Sequence, residues 1–359
     1  PVTSAVRSHP SSQPQWTTWT QLSLDRLRAP YWAVALSLGV IVFAGQVIER
    51  SLSGPLSDLL NPEILRFRLG LPILTVYMLL ALKTLKTSAL PILADLRPPV
   101  QVDDATYDRH VRNMLYTSRR AEAVLAAVAL AIMIAWFFIF RLPLPLTFDV
   151  SLPANPLQML VILASYVIFG WAGLCLVYSS LRFAHGLGKL AGSPLTINVF
   201  DPDDLLGFGK LSLRQSMTVA VTILLFVIPL GTPSRPAEYA VLLLASMASL
   251  SALIFPLWDV HQQMSRARDV TAGRLGGELA ECQSRLMATT TLDTATLSEL
   301  SDRTEKLLAL RSTIYKSPTW PFRSMPSIVR VVLASLSPFL VFIINEVIRT
   351  YLLPLFGVR

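Results

Sequence analysis

Seven stretches of the chain are long and apolar enough to lie in the hydrocarbon of a bilayer, and no other feature restricts the fold as strongly. They run near 31–48, 68–90, 121–140, 157–181, 216–231, 237–257 and 328–353. A helix needs roughly 17–25 mainly apolar residues to cross the hydrocarbon, and without water its backbone polar groups must be satisfied within the segment. The expected fold is therefore all-α: a polytopic membrane protein of about seven transmembrane helices. The second stretch ends in Lys83 and Lys86, whose stems let the charge snorkel to a headgroup layer. The fifth is short and stops at Pro229.

Composition points to the same solvent. Charged residues are only 15% of the chain, against about a quarter in a soluble protein. Hydrophobic residues make up 53% of 359, and the mean hydropathy is +0.53. The net charge of +8 sits in the connections, where it biases topology and meets anionic lipid, so membrane lipid rather than nucleic acid is the expected partner. Cys175 lies in an apolar stretch and Cys282 in a charged one, which gives no disulfide framework. The first 29 residues are polar and show no cleavable signal, so the first apolar stretch is expected to act as a retained signal-anchor.

Lys and Arg alternate between connections. The second connection has Arg97, Arg109, Arg112, Arg119 and Arg120, and the fourth has Arg182, Lys189, Lys210 and Arg214. The sixth holds nine basic residues, whereas the third and fifth have one each, Arg141 and Arg235. The positive-inside rule then predicts a cytoplasmic N-terminus and an outer C-terminus. Arg50, Arg66 and Arg68 in the first connection are an exception.

Four regions follow: a cytoplasmic polar segment 1–29, six spans with their loops over 30–257, a cytoplasmic helical hairpin and linker over 258–327, and the last span with the outer C-terminus over 328–359. In the hairpin, Leu275, Leu279, Cys282 and Leu286 form one stripe, and Leu297, Leu300, Thr304, Leu307 and Ile314 a second. Pro256 should kink the helix that enters it. "SPTWPF", 317–322, should end it, because its prolines bar helix continuation. Trp320 and Phe322 suit a headgroup layer, either as an inert anchor or as a link that passes hairpin movement to the last span.

The last stretch carries the most informative polar groups. At helical spacing Ser335, Phe339, Phe342, Glu346 and Arg349 share a face, with Asn345 at its edge. Ionisable groups in a span must face protein or water. Either Glu346 and Arg349 pair at the interface while Asn345 bonds a neighbouring helix, or the face lines a water-filled path. In the second case Glu346 and Asn345 would form a selectivity ring for an inorganic ion, and Phe339 and Phe342 a hydrophobic constriction.

The loop "NVFDPDD" offers Asp201, Asp203 and Asp204 as candidate ligands for a divalent metal. Over these seven residues it resembles the Asn/Asp motif of intramembrane prenyltransferases, with a different Asp spacing and no second Asp-rich motif. A solvated helix-capping loop explains the same residues. Gly186, Gly188 and Gly192 imitate a phosphate turn without the strand–turn–helix unit it requires. No serine elbow, Walker loop, kinase signature or His/Cys metal pattern occurs, and no cofactor is implied.

The leading expectation is a homo-oligomeric ion channel lined by the last helix, with a slight cation preference. The odd-numbered layout with a cytoplasmic helical base is similar to that of insect odorant-receptor channels, in which the last helix of four subunits lines the pore. That likeness is one of topology and transfers no residues. The alternatives are a metal-dependent membrane enzyme acting on a lipid or diphosphate, and a signalling or scaffold protein.

Overall fold

The computed structural model describes residues 30–53, 62–135, 156–230, 236–288 and 294–322, together with Val329, Val332, Leu333, Leu336 and Leu340. In chain order the helices are α1 (Tyr31–Ser53), α2 (Pro62–Asp95), α3 (Asp104–Leu115), α4 (Arg119–Ala135) and α5 (Pro156–Ala191). A single 3-10 turn (Pro202–Leu205) follows, then α6 (Leu206–Leu230), α7 (Pro236–Ala288) and α8 (Thr294–Lys316). Four of them, α1, α2, α5 and α7, are long and apolar enough to cross a membrane. The chain is an all-α membrane protein.

The apolar stretches pack as a bundle whose outward side chains need no protein cover. Leu36 and Val40 on α1, Leu160 and Leu181 on α5, and Leu244 and Met247 on α7 are all exposed. Lipid tails are as apolar as leucine, so contact between such helices depends on close approach rather than on hydrophobic drive. Glycine supplies it here. An ideal Cβ on Gly45 of α1 would stand 2.2 Å from the Ser165 hydroxyl of α5, and one on Gly39 would stand 2.3 Å from Val76 of α2.

Ion pairing accounts for one of the three arginines that depart from the charge bias. Arg68, near the start of α2, meets Glu49, near the end of α1, at 2.6 Å, with their side chains only 14% and 21% exposed. It also donates to the Gln46 carbonyl. Arg68 therefore presents no free charge to headgroups. At the opposite end of the same helix pair, Lys83 lies 5.1 Å from the Tyr31 ring, so α1 and α2 run antiparallel.

Beyond that end the helices continue into a second layer with a compact core. Leu96, Tyr107, Leu190, Phe208, Val260 and Phe322 belong to one buried cluster drawn from six segments of the chain. Residues 97–103 turn α2 into α3 with Arg97 as their staple: its guanidinium donates to the carbonyls of Val100 (2.8 Å) and Val102 (2.7 Å). The Tyr107 hydroxyl donates to the Leu93 carbonyl. That carbonyl is in the last turn of α2, where helix geometry leaves it without an amide partner. Burial pushes the Tyr107 phenol up to about 12, against the opposing pull of Arg97. The α2–α3 and α5–α6 connections are tied by an isolated antiparallel bridge, Val100 to Leu195.

Helix α7 has 53 residues and passes through Pro256 and Gly276–Gly277 without a break. At ~1.5 Å per residue it is far longer than a ~30 Å hydrocarbon layer, so it must project beyond it. Helix α8 returns antiparallel along the projection: Leu279 and Cys282 pack with Leu307, and Ala272 packs with Ile314 and Val199. Of these, Leu279, Cys282, Leu307 and Ile314 belong to the two stripes expected from the sequence, whereas Ala272 and Val199 do not.

Candidate functional site: the junction before the last apolar stretch

The residues expected to line a path, Ser335, Phe339, Phe342, Asn345, Glu346 and Arg349, lie outside the described residues. The structure does describe the segment leading into that stretch, which carries Trp320 and Phe322, and the part of α7 around Pro256 against which it docks.

Three contacts hold residues 317–322 in place. The Ser317 hydroxyl donates to the Val199 carbonyl at 2.8 Å. The His261 Nδ1 lies 2.9 Å from the Thr319 carbonyl oxygen, and because a carbonyl only accepts, that nitrogen carries the proton. Gly209 of α6 takes the close backbone approach: an ideal Cβ there would stand 2.0 Å from the Pro321 carbonyl oxygen and 3.1 Å from the Phe322 ring.

Aromatic packing reinforces the clasp. The His261 ring stacks on Trp320 with centroids 4.3 Å apart and planes at 15°. Trp258, one turn earlier on α7, meets Trp320 edge-on at 6.5 Å. Trp258 is half exposed, so this cluster has the amphipathic character of an interfacial belt. Phe322 behaves differently from Trp320. It is only 9% exposed and belongs to the juxtamembrane core, so it anchors the segment in protein rather than in headgroups.

Pro256 is buried within α7, and its missing N–H deprives the Ala252 carbonyl of its helical partner. Helix α6 compensates. The Ser212 hydroxyl, fully buried, lies 2.6 Å from the Leu253 carbonyl and 3.4 Å from that of Ala252. One turn further along α6, Ser216 donates to the Ser249 carbonyl at 3.0 Å and Ser249 donates back to the Ser216 carbonyl at 3.1 Å. One face of α6, carrying Gly209, Ser212 and Ser216, thus supports both the proline of α7 and the segment that leads to the last stretch. The spacing of these small residues, i, i+3 and i+7, is the sequence signal for such a close helix contact. His261 has no signal of its own, because its partner lies 58 residues away along the chain.

The acidic loop is put to local structural use. Asp201 caps the 3-10 turn, its Oδ1 accepting from the Asp203 amide at 3.3 Å, and the Asn198 Oδ1 accepts from the Phe200 amide at 3.1 Å. Among the described residues, no group of three or more His, Cys, Asp or Glu is gathered so as to hold a metal ion. No protein-family model matches this chain, and no curated protein or solved structure is significantly similar to it.

Proposed function

We propose that this protein is a homo-oligomeric ion channel in which the helical hairpin moves the last helix through the clasp at 317–322. The observation carrying the reading is the double attachment of that segment. It follows directly on α8, and it is pinned to α6 by Gly209 and to α7 by His261. Displacement of the hairpin relative to the bundle would be felt at the entrance to the last stretch, beside a proline whose backbone defect makes α7 a natural hinge.

Six described helices, α1, α2 and α4 to α7, with residues 328–353 as the seventh, complete the proposed set of spans. The positive-inside rule puts the hairpin and N-terminus in the cytoplasm and the C-terminus outside. Val329, Leu333 and Leu340 are helical and exposed, as lipid-facing positions would be. At ~100° per residue, the face of Ser335, Phe339, Phe342 and Glu346 falls roughly a third of a turn away from them. Glu346 and Asn345 are the proposed selectivity residues, and Arg349 modulates the sign of that preference.

The test is conduction by the reconstituted full chain. Glu346→Gln and Glu346→Lys should shift the reversal potential between unequal salt solutions, whereas Trp320→Ala should change open probability and leave the reversal potential alone. Silent bilayers would end the channel reading. Unchanged reversal potentials in both Glu346 variants would remove the filter. A second reading, a signalling scaffold without a path, is favoured by apolar side chains exposed on the hairpin, among them Val270 and Met287. Absence of conductance together with a stable soluble partner would support it.

A further inference from the structure

Beside the clasp, on another face of α7, an open cavity of about 510 Å³ separates the end of α5 from the segment around Pro256. His185, Lys189 and Ser193 line one wall, and Phe255 and Asp259 the other. We propose that this cavity holds the headgroup of an aminophospholipid of the phosphoethanolamine class.

The chemistry is layered along the two helices, which both run toward the hairpin. Leu181 and Phe255 come first and are exposed, Phe255 by 77%. One turn on, His185 follows Leu181 and Asp259 follows Phe255, and Lys189 lies a further turn along α5. An acyl chain against Leu181 and Phe255 therefore brings a phosphate to the level of His185 and Lys189. Lys189 and Asp259 face the same cavity without forming an ion pair with each other. Opposite charges held apart across a gap suit a zwitterion: the lysine meets the phosphate, and the carboxylate accepts hydrogen bonds from a primary ammonium. A choline headgroup has no N–H to donate, and a glycerol headgroup brings no positive charge to Asp259.

The floor of the cavity is built to stay open. A Cβ at Gly188 would meet no atom within 4 Å, and one at Gly192 would come within 3.5 Å of Asp259 Oδ2. Gln263 of α7 ties down the end of α5 through the carbonyls of Ala191 (2.7 Å) and Ser193 (3.1 Å), which holds the two walls at a set distance. The inference rests on the membrane setting and does not depend on conduction.

Native mass spectrometry of the full chain, released from nanodiscs of equal parts phosphatidylethanolamine, phosphatidylcholine and phosphatidylglycerol with matched acyl chains, tests it. Wild type should retain the ethanolamine lipid about tenfold over each of the others, the discrimination a charged hydrogen bond supplies. Asp259→Asn should abolish that preference, and Lys189→Gln should lower retention of all three. Gly188→Leu starts from a Cβ that meets no atom within 4 Å and replaces a glycine inside α5, so it should expel lipid without lowering the melting temperature. Equal retention of the three lipids by wild type, an unaltered preference in Asp259→Asn, or full retention in Gly188→Leu would overturn the proposal.

Discussion

Asp103 shows how much of this structure depends on single polar groups meeting single backbone atoms. It is the N-cap of α3, its carboxylate accepting from the Thr106 amide at 2.9 Å. Hydrogen bonds from Thr106, side chain first and backbone second, hold its carboxyl below the usual range. A carboxyl depressed in the folded state contributes stability that is complete above its ordinary value and is lost as the pH falls through the lowered one. Amide exchange at Thr106 and Tyr107, corrected for intrinsic rates, should therefore accelerate only in that acid range. Asp103→Asn should keep the cap and erase the dependence, since an amide oxygen caps without titrating. An equally steep acid response in the asparagine variant would show that another group controls α3. Asp before a helical run is a legible cap, and so is Asp201 before its 3-10 turn. The partners of Arg68 and His261 are not legible, because Glu49 and Thr319 are distant along the chain and a charge pattern names no partner.

Among the elements, the contact of α6 with α7 has the clearest internal logic. Pro256 frees the Ala252 carbonyl, and Ser212 from α6 reaches it and the adjacent Leu253 carbonyl. In a bilayer such a carbonyl cannot fall back on water, which is why a proline in a span needs a neighbour's hydroxyl. Ser212→Ala should cost about 1–3 kcal/mol, the usual penalty for stranding a buried acceptor. In a Pro256→Ala background the residue at 256 regains its N–H and satisfies Ala252 itself, so the same serine deletion should cost less than about 1 kcal/mol. Equal costs in the two backgrounds, by thermal melting in one detergent, would separate the serine from the proline. The hairpin was readable as an element because α7 and α8 follow a 3.6-residue stripe. Its helix was also expected to continue through Gly276–Gly277 and does so, because the cost of glycine in a helix, about 1 kcal/mol each, is outweighed by packing along the rest of a long helix.

For the whole molecule, the juxtamembrane core matters more than the bundle. It joins the ends of α2 and α5, the start of α6, the middle of α7 and Phe322 into one buried cluster, so the hairpin and the route to the last stretch share a foundation. Gly209 is where that foundation is most easily disturbed, because even a methyl group there meets the Pro321 carbonyl oxygen at 2.0 Å. Gly209→Ala should loosen residues 317–322 and Gly209→Leu should expel them, read as graded acceleration of amide exchange in that segment with α3 unaffected. If the clasp gates conduction, the same series should shift open probability in the same order. Fast exchange with unaltered gating would leave the clasp structural. The sequence by itself determined the solvent of this protein, the positions of the four long apolar helices α1, α2, α5 and α7 and the existence of the hairpin, because hydropathy and helical period are properties of contiguous residues. The tertiary structure alone decided that Phe322 is buried in protein, that Ser212 answers Pro256, and that Lys189 and Asp259 face a common cavity. Each of these depends on two segments distant in the chain being brought within a few ångströms, and no local pattern carries that information.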